Sequence, residues 1–435
     1  MHRAAVPARS ARRTLISRPR LATWVAAAVL AAAGALATAP VAAGAATAGP
    51  FPLQAPSAGQ AIAGWGVNDK GELGTGTATS GSALTPVLAA LPPGTLVAQV
   101  APGCTHALAL TSTGSVLAWG DNFDGELGNG TRFGFKATPA PVPFPAGVRI
   151  RQVSAGCDFS LAVSTDGQVY GWGSNGSGQL GTTKAASAPQ LTPVLAQLPA
   201  GAAVQAVSAG QDHALAVTTT GQVLAWGSNF DRQLGTGSTS AFDATPAAVR
   251  LPGGTRIISV NAAAFFSQAV TATGQVLGWG TQANGVLGNG LSTGIAAAPV
   301  RALIPPGLRV RSVFGGCRHT IAVTTTGSVL SWGNNSVGQL GIGSSRVQSS
   351  LTPRHVRLPL DSSRAVAVGG GCDTGAVLTS RGQVLDWGAG PVLGTGSTLG
   401  SLSPVRVQLP AGRTAIGVGG GPEADFSLAL LQPAR

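Results

Sequence analysis

The chain has 435 residues, 44% hydrophobic and only 10% charged, with 64 glycines and 29 prolines. Its ordinary apolar share excludes a disordered chain, and glycine-punctuated Val/Leu/Ala alternation points to β-structure. The formal net charge of +12 does not call for nucleic acid: six of the 27 basic residues and none of the 15 acidic ones lie in residues 1–48, so half of the excess belongs to that segment.

Residues 1–48 differ in kind from the rest. "MHRAAVPARSARRTLISRPR" carries those six arginines, "LATWVAAAVLAAAGALATA" is apolar over 19 residues, and small residues follow to Ala46-Thr47-Ala48. A basic start, an apolar middle and an Ala-x-Ala end predict an export signal peptide. Arg12-Arg13 resembles a twin-arginine signal. Retention as a membrane anchor is the alternative, because 19 residues just span a bilayer. The expected product is secreted or held at the cell surface, with residues 49–59 as a linker.

The next string, "GWGVNDKGELGTG" at 64–76, looks like a phosphate-binding loop. It is instead the first of a series: "AWGDNFDGELGNG" at 118–130, "GWGSNGSGQLGTT" at 171–183, "AWGSNFDRQLGTG" at 225–237, "GWGTQANGVLGNG" at 278–290, "SWGNNSVGQLGIG" at 331–343 and the degenerate "DWGAGPVLGTG" at 386–396. Trp65, Trp119, Trp172, Trp226, Trp279, Trp332 and Trp387 are spaced by 53 to 55 residues. A motif recurring at fixed period is architecture, and no copy has the Gly-Lys-Ser/Thr of a P-loop.

Within one unit, "LVAQVAPG", "HALALTSTG", "SVLAWG" and the proline-edged "TPAPVPF" are four short alternating runs, the last preceded by the loop "NFDGELGNG". Four antiparallel strands at a period near fifty predict a propeller blade. The first unit lacks its first two strands, whereas residues 413–432 supply two strands and lack the tryptophan half. Joined, the ends complete a seventh blade. The fold expected over residues 60–432 is an all-β, seven-bladed β-propeller of four-stranded antiparallel blades, with 433–435 as a tail.

The pattern G-C-x-H-x-L-A-L-T-x-x-G-x-V-x-x-W-G-x-N-x-x-G-x-L-G resembles the regulator of chromosome condensation (RCC1-type) repeat over residues 60 to about 432. The resemblance implies a seven-bladed propeller closed by both termini and is far less specific for function.

The seven tryptophans read as packing residues between blades, with carbohydrate stacking as the alternative. His106, His213 and His319 share one ring position with Phe159, Phe266, Thr374 and Phe426, which excludes a converging zinc set and suggests hydrogen-bonded core histidines. Cys104, Cys157, Cys317 and Cys372 occupy one position in two adjacent blade pairs. In an exported chain that favours the disulfides Cys104–Cys157 and Cys317–Cys372 among three possible pairings, against four buried thiols. Arg149, Arg256, Arg309 and Arg364 recur at the start of the first strand, and Asp158, Asp212, Asp373 and Asp425 at its far end, with Arg318 breaking the pattern. If that strand lines the axis, one mouth is cationic and the other anionic; ordinary solvated rim charge is the alternative.

Binding sites on repeat scaffolds sit where units differ. Phe123 and Phe230 enter polar turns beside Asp124 and Asp231, and the insert "TRFGFKATP" sets Phe133 and Phe135 between Arg132 and Lys136. Aromatics beside arginine on loops are the makings of a protein interface. "DNFDGE" has its acids at positions 1 and 4, not the 1, 3 and 5 of a calcium loop. No Gly-x-Ser-x-Gly, HExxH or paired-carboxylate motif marks an enzyme, and Asp386, directly before Trp387, is the one odd carboxylate. Neither cofactor nor metal is expected. The reading that follows is a monomeric, non-enzymatic, exported scaffold binding a protein through loops on one face. The resemblance extends to exported bacterial propellers that clamp a β-lactamase as inhibitors, though nothing here names a target. The alternatives are a guanine-nucleotide-exchange regulator like the family's eukaryotic namesake, opposed by the export signal, and a module binding a cell-wall polymer or carbohydrate.

Overall fold

The computed structural model describes residues 59–183, 185–361, 363–420 and 426–434. The export segment and Asp425 therefore lie outside the described residues. Twenty-eight strands form seven separate four-stranded antiparallel sheets. In six of them the strands follow chain order from the inner to the outer edge. Blade 2 is typical: Val97–Pro102, His106–Thr111, Val116–Asp121 and Phe135–Pro141.

Blade 1 is the exception that closes the ring. Its inner pair, Arg413–Gly420 and Phe426–Pro433, comes from the end of the described chain, and its outer pair, Ala61–Asn68 and Thr79–Leu88, from the beginning. Ala61 to Gly66 pair in unbroken register with Leu431 to Phe426. The predicted architecture and the shared blade are both present, so no inner sheet is left as an open end. The fourth strand of blade 2 begins at Phe135, three residues earlier than the proline-edged run suggested, because Asp121 pairs with Phe135 across a bulged register. Phe135 and Lys136 are thus strand residues, not loop residues.

The blades are glued by one repeated contact. All seven tryptophans are fully buried. Six donate Nε1–H to a backbone carbonyl of the preceding blade, two residues before the second glycine of G-x-L-G: Trp172 to Glu126 O at 2.8 Å, and Trp226 to Gln179 O at 2.8 Å, for example. That glycine is required at Gly128, where φ is +63° and a Cβ would stand 2.7 Å from Trp172 Cδ1. Polar side chains stitch the inner strands. Gln99 Nε2 donates to Val153 O at 3.0 Å while its Oε1 accepts from Val153 N at 3.1 Å. Gln152 repeats the clasp on Val207. Each amide satisfies backbone groups that face no neighbouring strand.

The histidines join the same relay. Ser160 Oγ donates to Glu126 O at 2.9 Å, so His106 Nε2–H donates to Ser160 Oγ, also at 2.9 Å. His213 and Ser267 repeat this on Gln233 O. Burial holds both rings neutral, pushing them down to about 3. The expectation of satisfied histidines holds for these Nε2 atoms, and the backbone of Cys157 also lies against His106 and that of Thr374 and Cys372 against His319. Nδ1 lacks an aligned partner in all three rings, and so does Nε2 of His319, whose counterpart hydroxyl position in blade 7 is Gly375.

Candidate partner-binding end

The ring has two unlike ends. One carries the connections between the first and second strands and between the third and fourth. These are tied to each other, as by Ser174 N donating to Asp158 O at 2.8 Å and Ser228 N to Asp212 O at 2.7 Å. The four cysteines lie on this end, and we call it the cysteine end. Cys104–Cys157 and Cys317–Cys372 are disulfide-bonded, each with Cα atoms 4.6 Å apart, and no described cysteine is free. Each bond joins neighbouring blades beside the axis. With Ala264 and Phe265 the cystines form one apolar cluster at the channel mouth.

The side chains singled out for partner binding are on this end and exposed: Phe123 at 59%, Phe133 at 61%, Phe135 at 52% and Phe230 at 70%. Those of blade 2 form a cluster. Phe123 and Phe133 meet edge to face at 5.2 Å, and the Arg132 guanidinium lies 4.1 Å over the Phe133 ring. Phe133 holds φ at +64°, a conformation that a bulky side chain adopts at a cost of about 1–3 kcal/mol. Its N–H donates to Asn122 O at 2.9 Å, and Asn122 Nδ2 also holds Thr131 O at 3.0 Å, so the loop is fixed in that strained form. Lys136 is exposed beside Phe135, and Asp124 and Asp231 are half-buried at their turns, their N–H groups held by Glu126 and Gln233. Phe230 and Asp231 belong to blade 4 and are separated from the blade 2 cluster by blade 3.

Sequence reading missed part of this end. Phe242 repeats Phe135 as the first residue of its outer strand and is 46% exposed, and Ile295 takes the same place in blade 5 at 49%. A groove of ≈ 280 Å³ lies on this end, with Asp231 at one side, Arg318 and Cys317 at the other, and Phe265 and Val286 between. The signal for Phe265 was present, since within "AAAFF" at 262–266 it takes the place held by Thr105, Asp158, Asp212, Arg318 and Asp373 in other units. Of the fourteen large hydrophobic side chains exposed among the described residues, ten belong to the cysteine end.

Three of the four aspartates singled out at the strand ends are also placed here. Asp158, Asp212 and Asp373 are partly buried at the inner mouth, and Arg318 takes the equivalent place in blade 6. Asp212 and Asp373 accept from Gln179 and Gln339 side chains at 3.3 and 3.0 Å. Burial raises Asp212 to about 6; it also raises Asp373, which Arg318 partly opposes. Arg149, Arg256, Arg309 and Arg364 stand exposed on the opposite end. Among the described residues no group of three or more His, Cys, Asp or Glu could hold a metal ion.

The sequence model of the RCC1-like domain matches residues 60–429. The chain belongs to the RCC1-like domain family. It is 34% identical over 316 residues to the ultraviolet-B receptor UVR8 of Arabidopsis thaliana, covering 72% of this chain and 70% of that protein. It is 30% identical over 302 residues to the bovine (Bos taurus) secretion-regulating guanine nucleotide exchange factor, covering 67% of this chain and 63% of that one. It spans only 32% of a third relative, the Xenopus laevis kinase Nek9, at 28% identity over 309 residues and 67% of this chain. The RCC1-like fold is shared with Prp20p of Saccharomyces cerevisiae, described with its binding properties to Gsp1p and histones (TM-score 0.77, 23% identity, 87% of this chain and 93% of that one). It is shared equally with human WBSCR16 (TM-score 0.75, 24% identity, 86% and 100%).

Proposed function

We propose that this RCC1-like propeller is an exported scaffold that captures a protein partner on its cysteine end, in the manner of an inhibitor or adaptor. The observation that carries this reading is the gathering of exposed apolar side chains on one end of the ring, with an arginine stacked on a strained aromatic. Isolated exposed hydrophobics need no explanation, whereas a group rimmed by polar residues marks an interaction surface. Rigid aromatics lose little entropy on docking, and the loops that bear them are held by backbone bonds. Two cystines fit an oxidising compartment and hence export. A relative named as a guanine nucleotide exchange factor supports action through a protein partner rather than chemistry on a small molecule.

The test is a photocrosslinking residue placed at Phe230, with a control at Ala200 on the other end. The reading expects one saturable adduct from Phe230 and none from Ala200. Adducts from both, or only from Ala200, contradict it. An exchange-factor role is the second reading, favoured by the bovine relative; acceleration of nucleotide release from a small GTPase by the purified chain distinguishes it.

A further inference from the structure

The end opposite the cysteines carries the complementary charge. Arg149, Arg256, Arg309 and Arg364 sit exposed at the entries to the inner strands of blades 3, 5, 6 and 7. Their carbonyls accept from Thr165, Ala272, Thr325 and Ser380 N–H at 2.8–3.0 Å, which pins each arginine beside the second turn of its own blade. Arg151 and Arg311, half-buried, follow two residues further along these strands, and Arg151 donates to Val204 O of the next blade. Among the described residues only Asp166 and Asp361 bring carboxylates to this end, and both are engaged: Ser164 Oγ donates to Asp166, and Asp361 is paired with Arg406. Ten of the remaining acids lie at the cysteine end. The ring is therefore a charge dipole along its axis.

Two further features single out what this end faces. Leu360, next to Pro359 in the loop between blades 6 and 7, is 107% exposed, an apolar tip within the arginine field. The chain also enters the propeller here. Arg413 donates to Gly59 O, and Gln60 Oε1 accepts from Val97 N at 3.2 Å, so the segment with the 19-residue apolar run and its arginines joins the ring at this end.

We propose that the arginine end docks on a bilayer containing anionic phospholipid, its rim guanidiniums gripping headgroup phosphates while Leu360 enters the interfacial layer. Guanidinium and phosphate match in geometry and charge. An anionic leaflet attracts a basic surface within a Debye length, and a small apolar tip adds affinity that a soluble polyanion does not reward. Docking so aims the aromatic end away from the membrane.

The experiment is hydrogen exchange of the full chain on phosphatidylglycerol vesicles and on phosphatidylcholine vesicles. It reads the arginine-end loops 302–309 and 357–364 against the cysteine-end loop 122–134. The N-terminal arginines and apolar run are common to every variant, so differences between variants report this end alone. The expected result is slowed exchange of both arginine-end loops on phosphatidylglycerol only, reversed by about 0.5 M salt. The slowing falls at least about tenfold in the combined Arg149→Gln, Arg256→Gln, Arg309→Gln and Arg364→Gln variant. Leu360→Asp weakens it as well. Equal exchange of the unaltered chain on both vesicles overturns the proposal without recourse to any variant. Slowing by single-stranded DNA or inorganic pyrophosphate but not by the vesicles overturns it in favour of a soluble polyanion. Slowing on phosphatidylglycerol that survives in the combined variant overturns the role of the rim.

Discussion

Asp386 occupies the position before the tryptophan that every other blade fills with Gly, Ala or Ser. It is fully buried at the seam between blades 7 and 1, where Trp65 Nε1–H donates to its Oδ2 at 3.4 Å and Trp387 N–H to its Oδ1 at 2.9 Å. Among the seven ring tryptophans Trp65 alone is not bonded to a loop carbonyl of the preceding blade; the carboxyl takes that role. Burial raises Asp386 to about 8. The folded state thus keeps a proton that the unfolded chain releases near its ordinary value of 3.8, and stability from this group is lost as pH rises from there through about 8. Because Asp386→Asn sets its NH2 against one of these two donors, the variant is expected to melt below the parent at pH 5 and to gain on it as pH rises to 9; a difference that does not change with pH contradicts the assignment. Glu126 follows the same logic. Burial first, then the Asp158 and Asp121 carboxylates, raise it well above the ordinary range, whereas the equivalent Gln179 and Gln339 bond to the aspartates beside them. Glu126→Gln is expected to raise the melting temperature by a margin that grows as pH rises above the ordinary carboxylate value of 4.5. No gain there counts against it.

At the scale of the element, each disulfide spans one blade repeat, with separations of 53 and 55 residues. Loops of that length restrict the unfolded chain enough to contribute about 2–4 kcal/mol each. Mass measurement of the unreduced, denatured protein should find no alkylatable thiol, and reduction should lower the melting temperature. Four alkylated cysteines would refute the pairing. The blades, the composite seventh and the pairing of the cysteines were legible because each rests on a property of single positions repeated at fixed spacing: alternation, a glycine, a tryptophan. The start of the outer strand in blade 2 was not, since Phe135 and Lys136 carry no turn residue and their register depends on a bulge set by Gly120 and its partner. The groove containing Phe265 and Arg318 was hidden for a similar reason. Its walls come from blades 4, 5 and 6 and meet only once the ring exists. The exposed phenylalanines Phe123, Phe133, Phe135 and Phe230 were visible as departures from the repeat on one face, whereas Phe242 and Ile295, which widen that end, were not.

For the whole molecule, two opposed sets of buried groups govern the dependence on pH. The neutral histidines, held at about 3 to 4 against an ordinary 6.5, contribute stability that is lost as pH falls. Asp386 and Glu72, both raised to about 8, and Glu126 contribute stability that is lost as pH rises. The two trends offset each other between about pH 4.5 and 6.5, so the melting temperature is expected to plateau there and to decline on either side. A maximum at pH 8 or above, seen in a thermal melt series, contradicts this balance. The larger claim is a division of labour: recurring side chains hold the wheel, and irregular ones on the cysteine end meet the partner. Thermal melts and partner capture measured side by side on two variants test it most directly. Trp172→Phe, which removes the bond to Glu126 O, should lower the melting temperature and leave capture intact below it. The Phe123→Ala, Phe133→Ala and Phe230→Ala triple variant should keep the parent melting temperature and lose capture. A triple variant that still captures the partner, or that melts several degrees lower, contradicts the account.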